Sequence, residues 1–256
     1  MRFDILTIFP ELLSSPLQEG ILRRALAAEQ IRVAVHNIRD FALDRHRMTD
    51  DRPFGGGEGM VMKPEPLAAC LRAIERVDGA RVILLSPKGR RFDQQTAVRL
   101  SGYGQLMLVC GRYEGVDDRF EAGYIDEVLS IGDYVLTGGE LAALVVLDAV
   151  TRLLPGVLGC EDSAANDSFS RGLLKHRQYT RPRVFEGESV PEVLLSGDHA
   201  AIARYRFLDS VAITLERRPD LFNGLVFTTG EWKMLQQAGM ADRVRTLGGQ
   251  SGQPSA

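Results

Sequence analysis

Ten residues, Ser130-Ile131-Gly132-Asp133-Tyr134-Val135-Leu136-Thr137-Gly138-Gly139, set glycines on both sides of an apolar and aromatic centre. Glycine lacks the Cβ that keeps a backbone at a distance. Such a loop can therefore bring main-chain donors and acceptors against a flat, uncharged ring. Two further loops, Ser86-Pro87-Lys88-Gly89-Arg90 and Gly111-Arg112-Tyr113-Glu114-Gly115, also follow strand-like runs. In a parallel α/β sheet, loops after consecutive strands emerge at one carboxyl edge, where ligands bind, so the three are expected to form one small-molecule site. Taken singly, each reads equally well as a turn. A second feature is basic: Arg171, Lys175, Arg177, Arg181 and Arg183 occur with no acid between Ser168 and Phe185. Such a strip can contact several phosphates, although composition alone favours a solvated loop.

Other motifs fail. There is no G-x-x-x-x-G-K-[ST], and Phe54-Gly55-Gly56-Gly57-Glu58-Gly59-Met60 neither follows a strand nor completes G-x-G-x-x-G. That segment reads as a flexible loop or as a place where an RNA backbone or a partner subunit comes close. His36, His46, His176 and His199 lack metal-ligand spacing, so no metal site is expected. Cys70, Cys110 and Cys160 form neither an even disulfide set nor a CxxC pair and read as buried thiols.

The elements that must position these loops alternate through the first 155 residues. Arg2–Phe9, Ile31–Ile38, Arg81–Leu85, Gln105–Cys110 and Ile125–Ser130 read as strands; 16–29, Pro66–Val77, Asp93–Leu100 and Glu140–Leu154 read as helices, with a turn or short helix near Val116–Phe120. Val82–Leu85 and Leu106–Val109 are apolar without alternation, as strands covered on both faces should be. An α/β domain with a mainly parallel sheet is expected. After Gly159 the character changes: 161–168 is small and polar and reads as a linker, and helix patterns follow at 191–196, 198–216 and 230–239. Residues 248–256 lack apolar content and are expected to fray.

At 256 residues, 45% hydrophobic and 25% charged, the chain can bury a proper core. The start, Met1-Arg2-Phe3-Asp4, has an acid where a signal peptide needs a basic-then-apolar run, and no apolar stretch approaches a membrane span. A soluble, cytoplasmic protein is expected. The net charge of −3 argues against a non-specific nucleic-acid coat. It is unevenly spread, however: 1–166 holds 19 Lys/Arg against 24 Asp/Glu, and 167–256 holds 12 against 10.

Several further segments carry a resemblance. Asp4-Ile5-Leu6-Thr7-Ile8-Phe9-Pro10-Glu11, Asn37-Ile38-Arg39-Asp40-Phe41, and the run from Asp50-Asp51-Arg52-Pro53 through the glycines to Met62 come first; Pro155-Gly156-Val157-Leu158-Gly159, Asp167-Ser168-Phe169 and Tyr179-Thr180-Arg181-Pro182 follow. With the three loops, they resemble the bacterial tRNA (guanine-N1)-methyltransferases, in order from residue 4 to about 185. The resemblance implies an S-adenosylmethionine-dependent enzyme of the knotted SPOUT class. It would work as a homodimer with composite active sites, methylate guanine N1 immediately 3′ of the anticodon and so limit frameshifting. It further implies a deep C-terminal trefoil knot in the sheet domain, which no pattern argument would supply. The implied organisation is a knotted catalytic domain over 1–160, a linker carrying the general base over 161–171, and a small all-helical tRNA-binding domain over 172–256. Whether magnesium assists is left open.

Carried over by motif, Ser86, Pro87, Gly111, Tyr113, Glu114, Ile131, Gly132, Asp133, Tyr134, Val135, Leu136, Gly138 and Gly139 would hold the cofactor, with Leu136 and Pro87 as apolar walls. Glu114 and Asp133 are read either as orienting its methionine end or as loop ends. Guanine N1 carries a proton at neutral pH, so the chemistry asks for a base, and Asp167 matches the family's. Residues alone make Asn166-Asp167-Ser168 a turn or helix cap. Arg152 matches the arginine that pairs with guanine O6; in an otherwise apolar helix it could equally be salt-bridged to a nearby acid. Asp50, Ser168, Arg171, Arg181 and Arg183 would meet the tRNA anticodon arm. The chain departs from its relatives at Lys175, where they commonly carry an acid, and at Arg177, where they commonly carry proline. Two rivals are a knotted methyltransferase acting on ribose or ribosomal RNA, disfavoured by the aspartate because a ribose hydroxyl has no ring proton to remove, and an RNA-binding module with vestigial cofactor loops.

Overall fold

The computed structural model describes residues 1–159 and 167–252, which divide into two compact units, Met1–Glu161 and Asp162–Ala256. In the first unit, β1 (Arg2–Thr7), β2 (Arg32–Asn37), β5 (Arg81–Arg91), β6 (Gln105–Cys110) and β7 (Glu127–Ser130) form one sheet in the order β2-β1-β6-β5-β7. Every pairing in it is parallel. Residues 2 to 7 of β1 lie opposite 32 to 37 of β2, and Arg81 to Leu85 opposite Leu106 to Cys110. Two residues each of β3 (Asp50–Asp51) and β4 (Val61–Met62) make a separate antiparallel ladder.

Alternation places apolar side chains on both faces of the sheet. Ile5, Ile83, Leu85, Leu106 and Leu108 pack with α2 (Gly20–Ala27), α4 (Gln94–Ser101) and α6 (Glu140–Thr151), through Leu22, Ala97, Leu100, Val146 and Val150. Leu6, Val82, Leu84, Met107 and Val109 meet α3 (Pro64–Arg72) and α5 (Asp118–Tyr124), through Leu67, Leu71 and Phe120. All six residues of β6 are buried, the burial expected of an inner parallel strand. The buried acid Asp4 on β1 is fully partnered: Arg2 and Gln105 donate to it at 2.8 and 2.7 Å, and His36 Nε2 lies 2.8 Å away. Burial opposes its ionisation, but the bonds from His36, Arg2 and Gln105 outweigh that and hold the carboxyl below its usual range.

Several boundaries differ from those expected. The helix over 16–29 is two pieces, α1 (Ser14–Leu17) and α2, because Gly20 turns the chain with φ +59. Strand β5 runs on to Arg91, so Ser86–Arg90 is no free loop; pairing with β7 breaks after Leu85 and resumes at Arg90 opposite Leu129. Helix α6 stops at Thr151 and leaves Arg152 as its C-cap. Cys70 and Cys110 are buried free thiols, while Cys160 lies outside the described residues.

The second unit has its own core, in which Val211 and Leu215 of α7 (His199–Arg217) pack with Phe222, Phe227 and Val244, and with Trp232 and Leu235 of α8 (Thr229–Gln237). Asp198 caps α7 by accepting from Ala200 and Ala201, and Thr228 with Glu231 forms a capping box on α8. The unit is not all-helical. Val184–Phe185 and Glu188–Ser189 form a short hairpin, β8 and β9, and Val226–Phe227 pairs in parallel with Gln250–Ser251, β10 and β11. The last pairing ties down part of the tail that low hydrophobicity marked for fraying; 253–256 lie outside the described residues. Residues 191–196 form a single 3₁₀ turn, Glu192–Leu195, and α9 (Ala241–Thr246) is too short to show a helical period. Among the described residues, no helix is long and apolar enough to cross a membrane.

Candidate active site

A cavity of about 270 Å³ opens at the carboxyl edge of β5, β6 and β7. Its floor includes the buried residues Leu84, Leu85 and Leu129, and its walls come from Ser86, Pro87 and Lys88, where the pairing of β5 with β7 is broken, and from the segments after β6 and β7. Ser86, Pro87, Gly111, Tyr113, Glu114, Ile131, Gly132, Tyr134, Val135, Leu136, Gly138 and Gly139 all line it. Asp133 does not. Its carboxylate meets Arg91 at 2.6 Å with the side chain 85% exposed. The lining also includes Arg112 and Thr137, which pattern reading passed over.

The glycines also let parts of the protein pass each other closely. A Cβ at Gly138 would overlap the Arg112 side chain, and one at Gly132 would overlap the ring of Tyr134. At Gly139 it would lie 2.8 Å from Cys110 Cα and 3.1 Å from the Gly111 nitrogen. These residues are small because parts of the protein pass each other closely. The same holds in the glycine-rich segment: Gly59 faces Glu114, whose backbone nitrogen donates to Met60 O at 2.9 Å, while Met62 N donates to Gly115 O at 2.9 Å. That segment is thus docked on the second loop of the cavity.

Arg152, half-buried, belongs to the first unit, where its backbone nitrogen donates to Asp148 O at 3.1 Å. Asp167 belongs to the second, where its Oδ1 accepts from Lys175 Nζ at 2.8 Å; Ser168 Oγ accepts from the Lys175 nitrogen at 3.0 Å. Asn166 and most of the expected linker lie outside the described residues, and 167–171 is a turn. Asp50 sits on β3 opposite Met62 and is not among the residues lining the cavity. Among the described residues, no three His, Cys, Asp or Glu side chains gather as metal ligands.

The basic strip is less available than its composition implies. Arg177 donates from its backbone nitrogen and guanidinium to Asp209 at 2.6 and 2.5 Å and pairs with Glu216 at 3.2 Å; Arg171 pairs with Glu231 and Lys175 with Asp167. Asp209 and Glu216 on α7 and Glu231 on α8 lie far along the chain, where a count of local charge cannot see them, while Asp167 lies just before the strip. Arg181 and Arg183 are exposed and have no ion-pair partner among the described residues. Neutralising both is therefore expected to lower the salt slope of tRNA binding by up to about two phosphate contacts, whereas Arg177→Gln should leave the slope unchanged. A salt series of binding isotherms checks this, and an unchanged slope in the Arg181/Arg183 double variant would remove the pair from the interface.

Residues 1–224 match the family model described as tRNA (Guanine-1)-methyltransferase TrmD. A tRNA (guanine-N(1)-)-methyltransferase of Geobacter sulfurreducens is 55% identical over 224 residues, covering 87% of this chain and 91% of that protein. Proteins of the same name from Desulfatibacillum aliphaticivorans and Dehalococcoides mccartyi are 52% and 49% identical, over 97% and 93% of this chain and 96% of each relative. With most of both chains aligned at about half identity, the chain belongs to the tRNA (guanine-N1)-methyltransferase family.

Proposed function

We propose that this enzyme transfers a methyl group from S-adenosylmethionine to N1 of the guanine immediately 3′ of the anticodon in tRNA. The observation that carries the reading is one cavity walled by all three segments, in a chain of this family. Its chemistry suits the cofactor. Leu84, Leu85, Leu129, Ile131, Leu136 and Pro87 offer an apolar slot for a flat base, main-chain groups along 131–139 offer partners for its edge, and Glu114 sets a carboxylate at the wall. When bound, S-adenosylmethionine supplies a methyl group that leaves its sulfonium as the bond to N1 forms.

The chain's own groups do the rest. Asp167 takes the N1 proton, which turns a poor nucleophile into a good one. Arg152 pairs with O6, where negative charge gathers as that proton leaves. Lys175 yields or shares the Asp167 carboxylate when guanine arrives. Arg181 and Arg183 contact backbone phosphates, and Asp50, Ser168 and Arg171 are further contacts to the anticodon arm. Two chains combine, the Asp167 of one serving the cavity of the other, in the cytoplasm where tRNA is processed. The sheet domain is read as threaded into a trefoil knot, and magnesium is left without a role.

Incubation with labelled S-adenosylmethionine and unmodified tRNA tests the reaction. The expected product is 1-methylguanosine, and label in a ribose methyl or in ribosomal RNA would replace this reading with another. Arg152→Ala is expected to slow turnover about 10²–10³-fold, the usual loss when a positioned charge is taken from a developing anion. A folded variant with full turnover would leave Arg152 as a structural cation.

A further inference from the structure

Glu140 opens a strongly apolar helix, yet its side chain is 1% exposed. Acids are almost never buried so completely without a partner. Its partner is Arg112, itself 13% exposed, whose Nε lies 3.2 and 3.0 Å from the two carboxylate oxygens and whose Nη2 lies 2.9 Å from Oε2. The third guanidinium nitrogen, Nη1, donates to the Thr137 carbonyl at 3.1 Å. Thr7, at the end of β1, donates to Glu140 Oε1 at 2.6 Å and accepts from the Phe9 nitrogen at 2.9 Å; the Phe9 ring lies 4.5 Å from the guanidinium carbon. The close pass of Gly138 against Arg112 belongs to the same arrangement, as does the bond from Gly139 N to Gly111 O at 2.9 Å.

We propose that the Arg112–Glu140 pair is a positioning strut, which holds the second and third cavity segments at fixed spacing so that the site is formed before a ligand arrives. This rests on reading the cavity as the S-adenosylmethionine pocket. A buried ion pair loses so much hydration that apolar residues of equal volume often stabilise a fold as well. What the pair adds is geometry. A planar guanidinium gripping a carboxylate on two sides and a loop carbonyl on the third leaves the two segments little freedom to shift. Arg112 carries one segment; Thr137 and Glu140 carry the end of the other and the start of α6. Glu140 does not line the cavity, so its effect on the ligand runs through Arg112 and the segments the pair holds.

The test is a double-mutant cycle on the full chain, with Arg112→Met, Glu140→Gln and the double variant titrated calorimetrically with S-adenosylmethionine. Each variant is expected to lose about tenfold or more in affinity, because small displacements of a binding group are costly. The double should lose no more than the worse single, since one contact is being removed. The KM for S-adenosylmethionine should rise with it while the KM for tRNA stays put, and amide exchange in 131–139 of the ligand-free protein should quicken without change in β5 and β6. A merely structural pair would instead lower the unfolding temperature and leave affinity within twofold in the folded double variant, which overturns the strut. Should these variants fail to fold, Arg112→Lys keeps the charge and loses the fork; a several-fold weaker affinity supports the strut and an unchanged one overturns it. If wild type binds no S-adenosylmethionine, the pocket reading falls, and with it the strut's purpose.

Discussion

Replacing Asp167 with Asn is expected to cut methyl transfer by about 10²–10⁴-fold while leaving S-adenosylmethionine affinity within a few-fold. The substitution is clean because it is nearly isosteric. An Asn amide oxygen can still accept from Lys175, which now sits 2.8 Å from Oδ1, so the turn at 167–171 has no reason to rearrange. What is lost is the capacity to accept a proton. Single-turnover kinetics with saturating tRNA measures the effect at the chemical step, separate from binding. Turnover near the wild-type rate would end the general-base assignment and leave Asp167 as the counter-ion of Lys175. Mixing this variant with a chain disabled in its cavity tests the shared site: heterodimers should regain part of the activity, because one of their two sites then has an intact cavity and an intact aspartate. No rescue from demonstrated heterodimers would place base and cavity in one chain.

The sheet and cavity were legible in the sequence for a definable reason. Runs such as Val82–Leu85 and Leu106–Val109 are apolar on both faces, a pattern that parallel strands share with little else, and parallel strands deliver their following segments to one edge. That topology accounts for the convergence of the three segments on one cavity, whereas the individual cofactor residues were carried over by motif from the family resemblance. Asp133, left open between a cofactor contact and a loop end, pairs with Arg91 outside the cavity lining, since spacing along a loop does not say which way a side chain turns. Long-range electrostatics was equally hidden. Nothing near Arg177 in sequence announces Asp209 or Glu216, and nothing near Glu140 announces Thr7, 133 residues earlier. A buried Glu at the head of an apolar helix was the one available signal, and it asked for a partner without naming it. The roles of Asp167 and Arg152 came from family resemblance, since an Asn-Asp-Ser turn and an arginine after a helix carry no signature of guanine chemistry.

Gly139→Ala is expected to abolish S-adenosylmethionine binding at concentrations that saturate wild type. The added Cβ would stand 2.8 Å from Cys110 Cα and 3.1 Å from the Gly111 nitrogen, distances that real Cβ contacts essentially never show or rarely reach. Its obstacle is the backbone of the innermost strand and the start of the second segment, not the far end of a side chain, so it cannot swing aside. Backbone strain is not the cause, because Gly139 has φ −79, which alanine adopts freely. Relief must come from parting the third segment from the second, which breaks the Gly139 N to Gly111 O bond and opens the cavity wall. Gly123→Ala in α5 is the control, since a Cβ there meets nothing within 4 Å, and a helical Gly-to-Ala change stabilises by about 0.5–1 kcal/mol. Calorimetric titration and thermal unfolding of the two variants separate the outcomes. Wild-type affinity in Gly139→Ala would show that the two segments tolerate separation, and that cofactor binding does not depend on the close pass at Cys110.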